Sequence, residues 1–301
     1  MPSFHLSVDQ RHLAWDNSLP PAVVVGPGDE IVLGLADASG GQIDRSDDAS
    51  AIGRLDFSAI NPCTGPVFVE GVAAGDDLVV TILEISTMDW AWTANIPGFG
   101  LLSDDFPESH ICISALRDGL VATPIGLDLP ARPMIGTIGV APDAPGPAPL
   151  LVPTQAGGNM DIAQMVAGTV LHLPTQVTGA LLSAGDTHAV QGDGEVCGTG
   201  AETSSEVHLR IDVAPGVSST PWYEHSVRRD EADWVCATGI GPDLFHAARE
   251  AARRAVELVA KRTGLDPVDA YLLLSLTGEL RVSEIVDAPN WVMSMQFPAT
   301  W

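Results

Sequence analysis

Glu206-Val207-His208-Leu209-Arg210-Ile211-Asp212-Val213 sets four aliphatic side chains on one side of an extended chain and four polar ones on the other, because strand side chains alternate with period two. This is the pattern of a half-buried strand, and it makes His208 a solvent-side residue rather than a candidate for chemistry. Working outward, shorter strands are expected at 22–25, 31–36, 66–70, 78–85, 110–114, 120–122, 169–173 and 179–183, each bounded by Gly, Pro or Asp turns. Two of them follow the same step, Gly28-Asp29 and Gly75-Asp76. That density of turns predicts a mainly β protein built as a sandwich or barrel. No helix longer than about two turns is expected before residue 240. From Asp243 to Thr263, however, Leu244, Ala248, Ala251, Ala252, Ala255, Leu258 and Val259 recur at helical spacing, with charged residues between them. Asp266-Pro267 opens a second helix, and a last strand is expected near 280–286. The stretch from Ala141 to Pro149 is too rich in proline to continue either element, so it divides the chain into a β half, 1–145, and a second half, 146–301, with an α+β end.

Composition excludes several function classes. With 301 residues, 46% of them apolar, the chain can bury a large core. Its 39 acidic against 14 basic residues give a net charge of −25, which argues against nucleic acid or an anionic membrane as partner. No run reaches the ~18 apolar residues of a membrane span, and the first residues lack a signal-peptide pattern, so a cytoplasmic location is expected. Cys63, Cys112, Cys197 and Cys236 are dispersed and form no Cys-x-x-Cys pair, which indicates neither a disulfide framework nor a zinc finger. Apolar, turn-rich strands also lead us to expect a homo-oligomer. The one lysine, Lys261, falls on the polar face of the predicted helix. Amide hydrolases of the Ser-Ser-Lys and Cys-Glu-Lys types need a lysine at the reaction centre, and this chain is excluded from both.

The third Gly-Asp step departs from the first two. Gly185-Asp186-Thr187-His188-Ala189-Val190-Gln191-Gly192-Asp193-Gly194-Glu195 carries three carboxylates, an imidazole and an amide where the others carry core residues. It follows the apolar run from Gly179, so the cluster is expected where a buried strand emerges. If the chain stays extended there, Asp186 and His188 face the same way. An Asp-x-His pair so placed offers an oxygen and a nitrogen to one divalent ion, with Glu195 near enough to act as base toward water. Asp193 joins the candidate catalytic set, although Gly-Asp-Gly also suits a turn. Cys197, with His188 as base, is the alternative nucleophile, and a non-catalytic metal-binding sandwich is the alternative outside enzymes.

Several blocks together resemble the acetamidase/formamidase family. They are Gly65-Pro66-Val67-Phe68-Val69-Glu70-Gly71, Pro97-Gly98-Phe99-Gly100, Ile135-Gly136-Thr137-Ile138-Gly139-Val140, Gly157-Gly158-Asn159-Met160-Asp161, and Gly185 to Glu195 followed by Glu202. The resemblance runs over nearly the whole chain and implies a jelly-roll-like β-sandwich joined to smaller β and α+β parts. It also implies hydrolysis of short aliphatic amides of the formamide or acetamide type. On that reading Asp186 and His188 hold the metal with Asp161 or Glu202, Glu195 acts as base and then acid, and Asn159 holds the carbonyl oxygen or the amide NH₂. Asp161 serves equally as the cap of a helix over 162–166. Zinc is the expected ion, with calcium or manganese also suited to so oxygen-rich a set.

Overall fold

The computed structural model describes residues 4–226 and 233–300. Its strands form a nine-stranded, a six-stranded and a four-stranded sheet. The long strand Ser205–Pro215 pairs antiparallel with Asp76–Thr87 on one side and Glu30–Leu35 on the other. Its alternation is real: Val207, Leu209 and Ile211 are wholly buried, while Glu206 and Arg210 are exposed. His208 stays on the outer face, where its Nε2 lies 3.0 Å from Glu30 Oε2.

The main core lies between the nine-stranded and six-stranded sheets. Ile31, Leu33, Val80, Leu171 and Leu209 from the first meet Val67, Ile135, Ile138 and Leu182 from the second. Each of these side chains is removed from water, worth roughly 1.5–3 kcal/mol apiece. Strands from both sides of the proline-rich stretch share the nine-stranded sheet, since Phe4–Leu6, Glu30–Leu35 and Asp76–Thr87 lie beside strands that follow residue 170. Among the strands that escape the sequence pattern, three have a common cause. Met134–Gly139, Trp234–Gly241 and Trp291–Pro298 are buried almost throughout, so they show no polar alternation to read.

Helix α1, Leu244–Thr263, starts where Asp243 Oδ1 accepts from the His246 amide at 2.8 Å and ends at Gly264, whose φ is +75°. It buries Ala247, Ala251, Ala255, Leu258 and Val259 and leaves Lys261 exposed. Contact with the sheet is backbone-close, because a Cβ on Gly239 would lie 2.0 Å from the Ala247 carbonyl. Helix α2, Pro267–Thr277, takes its first-turn proline as expected, but Asp266 makes no side-chain cap bond. Its outer face leaves Val268, Tyr271, Leu272 and Leu276 exposed. No helix among the described residues is long and apolar enough to cross a membrane.

One interior histidine gives a pH-dependent stability. His172 stacks on Trp222 at 3.6 Å between ring centroids, and its buried Nδ1 has no hydrogen-bond partner. Burial, with the Arg262 guanidinium adding to it, lowers its pKa to about 4 from the 6.5 of an unfolded chain. A folded pKa below the unfolded one means that stability is complete above pH 6.5 and is lost as pH falls toward 4, where only the unfolded chain takes up the proton. His172→Phe keeps the stack and removes the titration. Denaturant titrations should show the variant gaining about 2 kcal/mol on wild type between those two pH values, after discounting for partial exposure; a constant difference would mean that folding does not lower the pKa of His172.

Candidate active site

One end of the six-stranded sheet meets loops from the other two sheets, and the acidic residues collect there. Strand Ala180–His188, buried at every position, brings in Asp186 and His188. Its neighbour Met134–Gly139 pairs with it in the register Ile135↔Thr187 and Thr137↔Gly185. That register leaves Gly136 under the cluster, where a Cβ would lie 2.4 Å from Asp161 Oδ1 and 2.8 Å from the Asp186 carbonyl oxygen. Only glycine permits so close an approach. Asp186 has a φ of +56°, so the pair converges through a left-handed residue and not through plain extended alternation.

His188 is the hub. Its Nε2 lies 3.2 Å from Asp186 Oδ1, 3.2 Å from Glu202 Oε2, 3.9 Å from Asp161 Oδ1 and 3.9 Å from Glu195 Oε1. On the far side of the ring, Nδ1 lies 2.7 Å from Gln191 Oε1, while Gln191 Nε2 donates to the Asp161 carbonyl at 2.6 Å. A backbone carbonyl can only accept, which fixes the orientation of the Gln191 amide. Its oxygen must therefore face the ring, so Nδ1 carries a hydrogen and the Nε2 lone pair is aimed at four carboxylates. Such an arrangement needs a cation at Nε2, and among the protein's own groups that cation is the proton. Although burial works against it, Glu202 and Asp186 hold the His188 pKa well above its usual value.

Each acid is positioned differently. Glu202 bridges two elements, its backbone bonding to Trp92 in both directions at 3.0 and 2.7 Å. One of its oxygens accepts from the Gly200 amide at 2.7 Å; the other, buried, faces only His188 Nε2. Neither oxygen of Asp161 has a hydrogen-bond partner. No helix follows Asp161, since 163–164 form a single turn and Val166 makes an isolated β-bridge to Met134, so the expectation of a helix cap is corrected: its φ is +42° and its carboxylate enters the cluster. Glu195, with a φ of +45°, sits on the loop after the strand and is buried.

Asn159 bonds to its neighbours through both ends of its amide. Its Nδ2 donates to Asp287 Oδ2 at 2.5 Å, and its Oδ1 accepts from Asn61 Nδ2 at 2.8 Å and from Thr137 Oγ1. Burial raises Asp161 well above the usual carboxylate range, as do the Glu195, Asp186 and Asp287 charges; Glu195 and Asp287 are raised likewise by burial and acidic neighbours. Burial pushes Glu202 up to about 7. Asp186 is the exception, because His188 and the hydrogen bonds it receives outweigh burial and keep its carboxyl below the usual range.

Two sequence candidates fall outside this constellation. Asp193 is bound by Arg281, whose Nε donates to Oδ2 at 2.9 Å, and it also accepts from Gln164 Nε2 at 3.3 Å. Cys197 donates to the Thr199 carbonyl at 3.4 Å, and His188 has no nitrogen turned toward it. One member of the cluster was not foreseen. Asp287 comes from the C-terminal part, in a turn where Glu284 Oε1 accepts from the Val286 and Asp287 amides. The only signal in the sequence is a pair of acids, Glu284 and Asp287, flanking apolar Ile285-Val286.

The cluster offers ligand atoms in three overlapping groups, each within 4.8 Å: Asp161, Asp186 and His188; His188, Glu195 and Glu202; Asp161, Glu195 and Asp287. The donor set fits a divalent cation on two counts. Both buried oxygens of Asp161 lack any donor and Glu202 Oε2 has only His188 Nε2 beside it, at 3.2 Å, and the imidazole offers Nε2 while its other nitrogen is held by an outer amide, as in metal-bound histidines. The five acids of the cluster and Asn159 line the floor of a chamber of about 240 Å³.

Comparison with known proteins follows the same lines. The model of the acetamidase/formamidase family matches residues 4–150 and 146–300. A formamidase of Methylophilus methylotrophus is 26% identical over 366 aligned residues, spanning 96% of this chain and 88% of the relative. The crystal structure of an acetamidase from Bacillus halodurans superposes with a TM-score of 0.92 at 31% identity, covering 98% of this chain and 97% of that one. A second crystal structure, of a recombinant predicted acetamidase/formamidase from the thermophile Thermoanaerobacter tengcongensis, gives 0.91 at 32% identity, with 98% and 95% covered.

Proposed function

Because the chain belongs to the acetamidase/formamidase family and is an amidase, we propose that its acid cluster holds a divalent ion, zinc first among candidates and calcium or manganese after it, and hydrolyses primary amides to carboxylate and ammonia. The observation that carries this reading is His188: Gln191 fixes a hydrogen on Nδ1, which leaves the Nε2 lone pair directed at Asp186, Glu202, Asp161 and Glu195. Asp186, His188, Asp161 and Glu202 would hold the ion. When bound, such an ion supplies Lewis acidity, polarising a carbonyl and lowering the pKa of water toward ~7.

The residues of the chain account for the remaining steps. Attack by water on the amide carbon forms a C–O bond and leaves a proton to be moved; cleavage of the C–N bond leaves an amine that must receive one. We assign both transfers to Glu195, which is buried beside the cluster with its Oε1 3.9 Å from His188 Nε2 and whose pKa burial raises well above the usual carboxylate value. The Asn159 carbonyl already accepts from Asn61 and Thr137 and one NH₂ hydrogen goes to Asp287, so we assign its second NH₂ hydrogen to the substrate carbonyl oxygen. Trp92, backbone-bonded to Glu202, walls the reaction off from water on one side. The Cys197 alternative lacks the thiol-to-imidazole contact it needs.

Elemental analysis of the purified protein, paired with ammonia assays with and without chelator, tests the reading. Stoichiometric divalent metal is expected, with ammonia release lost on chelation and restored by adding the ion back. Full activity in metal-free protein would overturn it, and would leave the proton as the cation at His188 Nε2.

A further inference from the structure

The floor of the chamber is acidic, but its walls are apolar. Leu55, Ile60, Trp92, Ile96, Phe99 and Leu151 line it, and no lysine or arginine among the described residues does. At about 240 Å³ it is far larger than formamide or acetamide requires; an apolar cavity of ~150 Å³ already holds a six-carbon aromatic ring. A fixed wall of this kind selects by shape. The Trp92 indole Nε1 donates to Asp37 Oδ1 at 3.1 Å, and its backbone is locked to Glu202 by an isolated β-bridge. The loop holding Ile96 and Phe99 is tied to the Glu195 loop, since the Leu101 amide donates to the Val196 carbonyl at 2.9 Å. A Cβ on Gly100 would lie 2.7 Å from the Cys197 carbonyl oxygen. Acyl wall and acid floor are thus built on shared segments, and an acyl group filling the one fixes the carbonyl over the other.

We propose that the preferred substrate is a primary amide with a neutral, apolar acyl group of roughly six to eight carbons, aryl or branched, for which this chamber is the acyl subsite. The proposal rests on the cluster being the place where the amide carbonyl is attacked. Hydrolysis of phenylacetamide then breaks its C–N bond, forms a C–O bond with water and yields phenylacetate and ammonium, with no change of oxidation state. Anionic acyl groups are disfavoured twice, by the apolar wall and by the carboxylates beneath it.

Steady-state ammonia release by the metal-loaded protein should be measured for formamide, acetamide, isovaleramide, phenylacetamide and the anion succinamate. We expect kcat/KM for phenylacetamide to exceed that for acetamide on the order of a hundredfold, from the added apolar area buried, with succinamate the poorest of the larger amides. Ile96→Trp, which fills the chamber, should reduce the phenylacetamide-to-acetamide ratio at least about tenfold. Calorimetric binding of both amides to Glu195→Gln supplies a readout that needs no turnover and should rank phenylacetamide the tighter. Equal or better use of acetamide, with a ratio unmoved by Ile96→Trp, would overturn the proposal. Absence of turnover with every amide would instead remove the reading of the cluster, while calorimetry would still decide the acyl subsite: tighter phenylacetamide supports it, and equal binding overturns it.

Discussion

Glu195→Gln should lower kcat/KM for a primary amide by about a thousandfold while leaving the metal content of the purified protein unchanged. The substitution preserves shape and removes only the ability to take and return a proton. The loop geometry should survive, because it rests on backbone bonds from Glu195 N to the Gly192 carbonyl and from Gly198 N to the Glu195 carbonyl, not on the carboxylate. Glu195 Oε1 is 3.9 Å from His188 Nε2, farther than Asp186 or Glu202 at 3.2 Å. Asp161 lies as far away, at 3.9 Å, but both of its buried oxygens lack a donor, so we group it with the closer pair as a ligand and leave proton transfer to Glu195. Asp287→Asn is the control. Asp287 is also buried and raised, but it accepts from Asn159 Nδ2 at 2.5 Å and is thereby engaged in holding that amide. A loss below tenfold in Glu195→Gln together with a large loss in Asp287→Asn would move the proton shuttle from the first residue to the second.

What could be read in advance, and what could not, follows from the distance over which each signal acts. The strand at 206–213, the helix that ends in Gly264 and the Asp186-x-His188 step are local patterns, each complete within one element. Even so, parity alone did not describe the Asp-x-His step, because Asp186 adopts a left-handed φ that crowding from Asp161 and Gly136 accompanies. Strands Trp234–Gly241 and Trp291–Pro298 were illegible because both their faces are buried. Asp287 was illegible for a different reason: it lies 92 residues beyond Glu195 in the numbering, and only the pairing of the last sheet strands brings it to the cluster. Gln191 was legible as a polar residue in a site. Its role as the group that fixes the His188 tautomer depends on the Asp161 carbonyl, which spacing does not reveal. The helix expected over 162–166 had a plausible cap but too few residues; Met165 N bonds back to the Ile162 carbonyl and the chain turns away.

Asp161→Asn should separate stability from function in opposite directions. Metal-free, the cluster buries Asp161, Asp186, Glu195, Glu202 and Asp287 around a single imidazole, and burying charge beyond what is paired is costly. Asp161 carries the least compensation of the five, with two buried oxygens that no donor reaches. Replacing it by an amide removes one like charge from Glu195, Asp186 and Asp287 at nearly constant volume, while the Gln191 bond to the residue 161 carbonyl does not depend on the side chain. We therefore expect the metal-free variant to be about 1–3 kcal/mol more stable than metal-free wild type by denaturant titration. The same neutralisation takes away an anionic ligand, so metal affinity should fall at least about a hundredfold and amide hydrolysis with it. Added metal should accordingly raise the melting temperature of wild type more than that of Asp161→Asn. A metal-free variant less stable than wild type would mean that Asp161 is held by favourable contacts and is no strained ligand; equal metal affinity in the two proteins would remove it from the ligand set and leave Asp186, His188 and Glu202 to hold the ion.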